Sequence, residues 1–394
     1  MLRRALPLCC ALLAPLAAPT DARACGVMVF EEQESRMGRQ EVFIDFGPDA
    51  TTMVVSATYV DASQDLAFIL PLAVVPEEVA DSDVGLFVAL DGGTAPRVNI
   101  DAEEPRGLCG APLRGDGGDL GGDDVIVYGR GTTATYQYVI VGAGGEQTLT
   151  TWLAGNGFTP PPALDGALQG YADDGWVFLA AKVRADPLAP TSDLAPLELR
   201  LPAQSPDAFK IPFGIAAHAL SGDQALALTL YLSGAAPVLP ANYEAAPIDA
   251  AELQALSESE SNYAEVYAAA TAGGRLVVDH REPGWSPTYL RGWYDEAQFS
   301  GAAPEGGPTT DPAWFDAFAD RLGAGPRHLT RLRGELRAED LKDMTLQTTT
   351  SAEVRSVYTV EHREGGCRSG GRVGDAAFLL LPLLWLRRRP AARR

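Results

Sequence analysis

The chain has 394 residues, 46% of them hydrophobic and 21% charged, with a formal net charge of −21 at pH 7. That apolar fraction supports a core and excludes global disorder, and the length allows one large domain or two modest ones. Residues 1–24 carry a net +2 and residues 367–394 a net +6, which leaves −29 for the body; so acidic a body repels nucleic acid and anionic lipid and excludes both as its partners.

Residues 1–24 read as a signal peptide. Arg3 and Arg4 precede an apolar run from Ala5 to Ala18, and Ala22-Arg23-Ala24 is the small-x-small pattern a signal peptidase accepts. The run is shorter than the roughly 20 residues a helix needs to span a bilayer. Cys25 follows the cleavage site, but Ala22 and Arg23 stand where a lipoprotein signal has Leu and a small residue, so simple cleavage is expected. Cys9 and Cys10 leave with the leader, and Cys25, Cys109 and Cys367 remain. In an oxidising exported compartment Cys25 and Cys109 are expected to form a disulfide. Closing so long a loop stabilises by about 4–5 kcal/mol in the chain-entropy model.

Residues 25–245 are predicted to form a β-rich domain. Residues 41–46, 51–60 and 66–72 are β-branched, aromatic or alternating runs separated by turn residues. Residues 84–90 fit a strand or a short helix. A hairpin is expected from 124–129 and 133–141, turning at Gly129–Thr132. Residues 146–158 read as an amphipathic helix stopped by Asn156-Gly157, and a second short helix follows the prolines at 160–162. Strands return at 176–183, 194–201 and 226–233.

The texture changes near 245, and residues 246–350 are predicted to be a smaller mixed region docked on the first. Residues 247–274 form the longest helical signal, with Asp249 as N-cap and Gly273-Gly274 as stop. A Pro/Gly/aromatic loop is expected over 282–308. Asp311 and Pro312 open a helix over 311–323, and 328–336 and 347–360 look extended. The fold class is α+β and β-dominated: a sandwich-like β domain followed by a smaller mixed helical region. Residues 351–366 read as a linker.

Met53–Tyr59, Phe68-Ile69-Leu70-Pro71, Trp152-Leu153-x-x-Asn156-Gly157-Phe158, Trp176-Val177-Phe178 with Lys182-Val183, and Leu329–Leu332 occur in order behind Ala24-Cys25-Gly26. Together they resemble the secreted bacterial family catalogued as domain of unknown function 2330, over about residues 25–350. The resemblance implies no established activity and no catalytic residues.

Four features could carry chemistry. Gly142-x-Gly144 lacks the third glycine of a dinucleotide fingerprint and reads as a turn, and no cofactor is expected. Asp116, Asp119, Asp123 and Asp124 sit in a Gly-rich run that offers oxygens to calcium, but the spacing matches no calcium loop. His218 is expected to be a satisfied core histidine. His280 follows Asp279, with Ser286 six residues on, and offers a dispersed Ser/His/acid site without a nucleophile-elbow motif. Trp285, Tyr289, Trp293 and Tyr294, read as a loop, either pack onto the domain core, as buried aromatics commonly do, or offer contacts to a glycan or a protein partner, and they are the candidate ligand-binding residues.

Residues 367–394 combine Cys367, an apolar run from Ala376 to Leu386 broken by Pro382, and a basic end. The run is too short for a stable span, and the pattern resembles the C-terminal sorting tags of myxobacterial surface proteins. That implies processing near Cys367 by an envelope sorting protease, after passage through the export machinery, with membrane contact only through this tail. The expected protein is exported and surface-anchored, with a non-enzymatic binding or envelope-structural role; the alternative is an extracytoplasmic hydrolase built from dispersed residues.

Overall fold

The computed structural model describes residues 27–29, 36–60, 67–100, 126–142, 149–158, 164–184, 191–220, 222, 224–257, 259–303, 310–323, 325–350 and 352–360. Cys25, Cys109, Cys367 and the acidic run Asp116, Asp119, Asp123 and Asp124 lie outside them, as does the tail. The protein is α+β and dominated by strands.

A nine-stranded sheet forms its centre. In spatial order it runs Ala245–Ala246, Leu276–Trp285, Arg327–Arg337, Ala225–Gly234, Arg36–Phe46, Ala50–Val60, Leu197–Pro202 and Glu78–Asp81, with Thr191–Asp193 also on Ala50–Val60. The pairings are antiparallel except for two, one of them between Ala225–Gly234 and Arg36–Phe46. The sheet takes strands from both sides of residue 245. The region beyond 245 is therefore built into the same sheet instead of being docked onto it.

Strand periodicity explains the layering. Val42, Ile44, Met53, Val55, Leu228, Leu230 and Leu332 point to one face, where they pack on Phe68, Leu70, Ile140 and Leu179 of a five-stranded sheet. Phe43, Val54, Tyr231 and Leu329 point to the other face and pack under the helices Gly85–Thr94, Leu290–Ser300 and Pro312–Leu322. The outer face of the five-stranded sheet is covered by the helices Leu149–Gly155 and Asp165–Asp173 through Trp152, Leu153 and Leu168. Both sheets are buried on both faces, so their strands read as near-continuous apolar runs. Among the described residues no helix is long and apolar enough to cross a membrane.

Four local expectations change. The hairpin turns at 133–135 instead of at Gly129–Thr132, because Asp81 accepts from the Thr133 hydroxyl (2.6 Å) and the Thr135 amide (2.8 Å). The long helix expected over 247–274 is reduced to Tyr263–Thr271. Asn262 ties the chain back on itself there: its Oδ1 accepts from Gln254 N (2.7 Å) and its Nδ2 donates to Glu252 O (2.9 Å). Such side-chain bonds outcompete the helix ladder in a Ser/Asn-rich stretch. Asp249 does act as a cap, but of the short 3-10 turn Ala250–Glu252. Finally, His218 ends the 3-10 turn Phe213–His218 and is exposed.

Candidate functional site

The aromatic segment is not a loop. Leu276–Trp285 is a strand of the central sheet and Leu290–Ser300 a helix. Trp285 is 0% exposed and packs edge-on to Phe43 with centroids 6.2 Å apart; Tyr294 is buried and donates no surface to solvent beyond 6%. Trp293 is half-buried, its ring laid so close to Gly93 that a side chain at 93 has no room. Of the four only Tyr289 is well exposed, at 48%. The reason is amphipathic spacing: Leu290, Tyr294 and Ala297 form the face that packs on the sheet and on the helix Gly85–Thr94.

His280 meets different partners from those the sequence suggests. Ser286 caps the turn Pro287–Tyr289, accepting from the Thr288 amide. The serine beside His280 is Ser356, whose Oγ lies 3.4 Å from Nδ1. Glu282 Oε2 lies 3.4 Å from Nε2 but is too poorly aligned for a hydrogen bond, so Nε2 has no partner among the described residues. Both the imidazole and the Ser356 hydroxyl are buried. Burial, helped by the Arg331 charge, lowers the His280 pKa to about 4, against the opposing pull of Asp279 and Glu353. A neutral, covered histidine beside a covered serine ties the strand Leu276–Trp285 to the bend at Ser356 and gives a substrate no approach.

This contact has a measurable consequence. Between pH 6.5 and about 4 the unfolded chain protonates His280 while the folded chain does not, so stability falls as pH falls through that window. The His280→Gln variant is expected to lose on the order of 2–3 kcal/mol less between pH 7 and pH 4 than the wild type, measured by urea unfolding at each pH.

On the same sheet face, Asp279 is fully buried and serves two arginines. It accepts from Arg333 Nε, and from Nη2 at 3.1 Å, and lies 3.7 Å from Arg331 Nε. Tyr263 donates to it at 3.3 Å, and Arg331 reaches on to Asp91. This network locks the strands Leu276–Trp285 and Arg327–Arg337 together.

A further arrangement of polar groups lies at the end of the strands Arg36–Phe46 and Ala225–Gly234. Asp45 is on the outward parity of Arg36–Phe46, opposite Val42, Ile44 and Phe46, and the parallel register sets it directly beside Ser233. Ser233 Oγ donates to Asp45 Oδ1 at 2.6 Å, and Arg327 Nε stands 3.4 Å from the same oxygen. All three are buried. Burial raises the Asp45 pKa above the usual carboxylate range; Arg327 and Ser233 pull it back only in part. Arg327 Nη2 donates to Leu322 O at the C-terminal end of the helix Pro312–Leu322, while its buried Nη1 finds no acceptor among the described residues.

Asp45 and Arg327 form part of the wall of a cleft of about 560 Å³, within the 300–1,000 Å³ typical of small-molecule sites, and Ser233 braces Asp45 from behind it. The turn Phe46–Ala50, Thr52, Ala235 and residues 320–323 and 325–326 form further parts of its wall. Gly47 makes the turn close enough that a Cβ there would meet Ala50 O at 2.9 Å. Arg200 and Arg321 also line the cleft. Glu77 holds Arg200 at 3.3 Å, and Glu198 holds Arg321 through both its oxygens at 3.0 and 3.1 Å. Asp49 and Asp320 stand exposed at the rim. None of Trp285, Tyr289, Trp293, Tyr294 or His280 lines it. Among the described residues no group of three or more His, Cys, Asp or Glu is placed to hold a metal ion.

Sequence reasoning did not single out Asp45, Ser233 or Arg327. The available signal was a lone carboxylate in the strand run EVFIDF, whose neighbours on both faces are apolar.

No curated protein matches the chain. Two solved structures show a distant likeness. That of baculovirus P35 has 9% identity, covering 81% of this chain and 98% of that one with a TM-score of 0.33. That of a mutated baculovirus P35 after caspase cleavage has 9% identity, covering 52% and 77% with a TM-score of 0.27. Scores this low carry no argument about fold or activity. The bacterial family described as "uncharacterized protein conserved in bacteria (DUF2330)" matches residues 19–291, which leaves the Leu329–Leu332 run outside the matched span. With more than half of its length matched, the chain belongs to that family.

Proposed function

We propose that the protein is exported, held at the cell envelope through a processed C-terminus, and acts there as a non-enzymatic binding protein whose ligand seats in the cleft lined by Asp45 and Arg327. The leader pattern of residues 1–24 and the Cys367, apolar and arginine pattern of the tail support the location. The observation that carries the binding role is Arg327 Nη1, a buried charged donor with no acceptor on the described protein, in a residue that lines an open cleft. An unmet buried donor costs about 1–3 kcal/mol, which an acceptor recovers once the guanidinium turns to meet it from the cleft. Binding is favoured over hydrolysis because Ser356 and His280 are covered and lie outside the cleft.

Ala235 lines the cleft and is exposed, so Ala235→Trp fills the space without removing a bond. In a thermal-shift screen of a small-molecule library, compounds that raise the melting temperature of the wild type are expected to lose the shift in Ala235→Trp. Hits that stabilise both proteins equally would place binding elsewhere. Cell fractionation with intact mass of the mature protein tests the location; recovery of full-length protein ending in Arg394 counts against tail processing.

A further inference from the structure

We infer that the ligand of the cleft is a neutral saccharide, bound through hydroxyl groups that accept from Arg327 and donate to the carboxylates of the rim. This rests on the cleft being the binding site.

The argument is one of charge and hydrogen-bond polarity. Three guanidiniums line the cleft, and each already faces a carboxylate: Arg327 with Asp45, Arg200 with Glu77, Arg321 with Glu198. Arg327 is further compensated by Leu322 O, at the negative end of the helix Pro312–Leu322. Asp49 and Asp320 add two more carboxylates at the rim. Three carboxylates and three guanidiniums line the cleft, and Glu77 and Glu198 beside it tilt the local balance to net negative, within a chain whose net charge is −21. A phosphate, a free carboxylate or an acidic glycan is repelled there.

A cation is attracted by that charge but leaves the buried donor of Arg327 unmet. An ammonium or guanidinium brings donors only, and the buried group left unmet is itself a donor, Arg327 Nη1. The occupant must therefore offer an uncharged acceptor to Arg327 and donors to Asp49 and Asp320. A hydroxyl does both from one atom, and a sugar ring presents several at fixed spacing. Leu322, Pro48 and Pro326 supply the apolar surface that the carbon-bound hydrogens of a ring require. The volume of about 560 Å³ accommodates more than a single small solute.

The test uses fluorescently labelled mature protein on an array of neutral oligosaccharides, acidic oligosaccharides and unrelated peptides, followed by calorimetric titration of the neutral hits and of inorganic phosphate. Wild type is expected to bind neutral saccharides and not phosphate. Ala235→Trp is expected to lose that binding, and Arg327→Lys, which keeps the charge but removes Nη1, to weaken it about tenfold. A melting curve for each variant confirms the fold. Binding of acidic glycans, phosphate or peptides alone, abolished by Ala235→Trp, would overturn the saccharide assignment and leave the cleft as a binding site. Neutral-saccharide binding unchanged in Ala235→Trp would overturn both. Silence across the array, together with stabilising hits from a non-saccharide library that Ala235→Trp blocks, would overturn the saccharide assignment alone.

Discussion

Asp279→Ala destabilises the folded protein by about 3–5 kcal/mol, because it strips a fully buried counter-charge from the buried Arg331 and the half-buried Arg333. Asp279 is 0% exposed and is the carboxylate between Arg331 and Arg333; Arg331 is itself buried to 3% exposure. Removing one partner of such a set leaves charge behind in a poorly solvated site, a far larger loss than the net worth of the intact pair. Asp279→Asn keeps the shape and one acceptor oxygen, so it is expected to cost less than the alanine variant. Urea unfolding of the two variants beside the wild type measures both differences; equal and small losses would show that the network contributes little.

Trp285→Ala is the second large effect, about 3–5 kcal/mol, the usual range for truncating a fully buried Trp or Phe. The indole packs on Phe43, three strands along the sheet, and lies 6.5 Å, centroid to centroid, from Trp293 of the covering helix. It therefore joins the sheet to its helical layer. Its removal leaves a cavity that the rigid strand Leu276–Trp285 cannot collapse to fill. The variant is expected to unfold at lower urea with ligand capture unchanged while it remains folded. Tyr289→Ala, at the exposed end of the same group, is expected to change stability by no more than about 0.5 kcal/mol.

The contrast between these residues shows what the chain discloses locally. Strands such as Ala50–Val60 and Ala225–Gly234 are legible because their apolar runs have no helical alternative of the right length. Asp311 and Pro312 mark a helix start by a local rule, and the side chain of Asp311 does accept from Ala313 N. The stretch 247–274 misleads because alanines and glutamates favour a helix by propensity, while Asn262 and Ser257 bind the backbone instead. The aromatic segment misleads in another way: Trp285 and Tyr294 look like contact residues in a Pro/Gly-rich run until the sheet and the helix Gly85–Thr94 are placed against them.

The cleft is harder still to read from the sequence. Asp45, Ser233 and Arg327 sit on three strands that are adjacent only because Ala225–Gly234 pairs with Arg36–Phe46 in parallel and with Arg327–Arg337 antiparallel. No spacing rule links positions so far apart. Only Asp45 leaves a trace, as a charge where the pattern calls for an apolar residue.

Hydrogen exchange on the mature protein, with and without a saturating neutral oligosaccharide from the array, tests the central claim that ligand is held in this cleft. Slowed exchange confined to residues 46–50 and 320–327 is the result expected from the lining of the cleft. Protection centred on 285–294, with 46–50 and 320–327 unchanged, would contradict it and return the binding role to the aromatic segment.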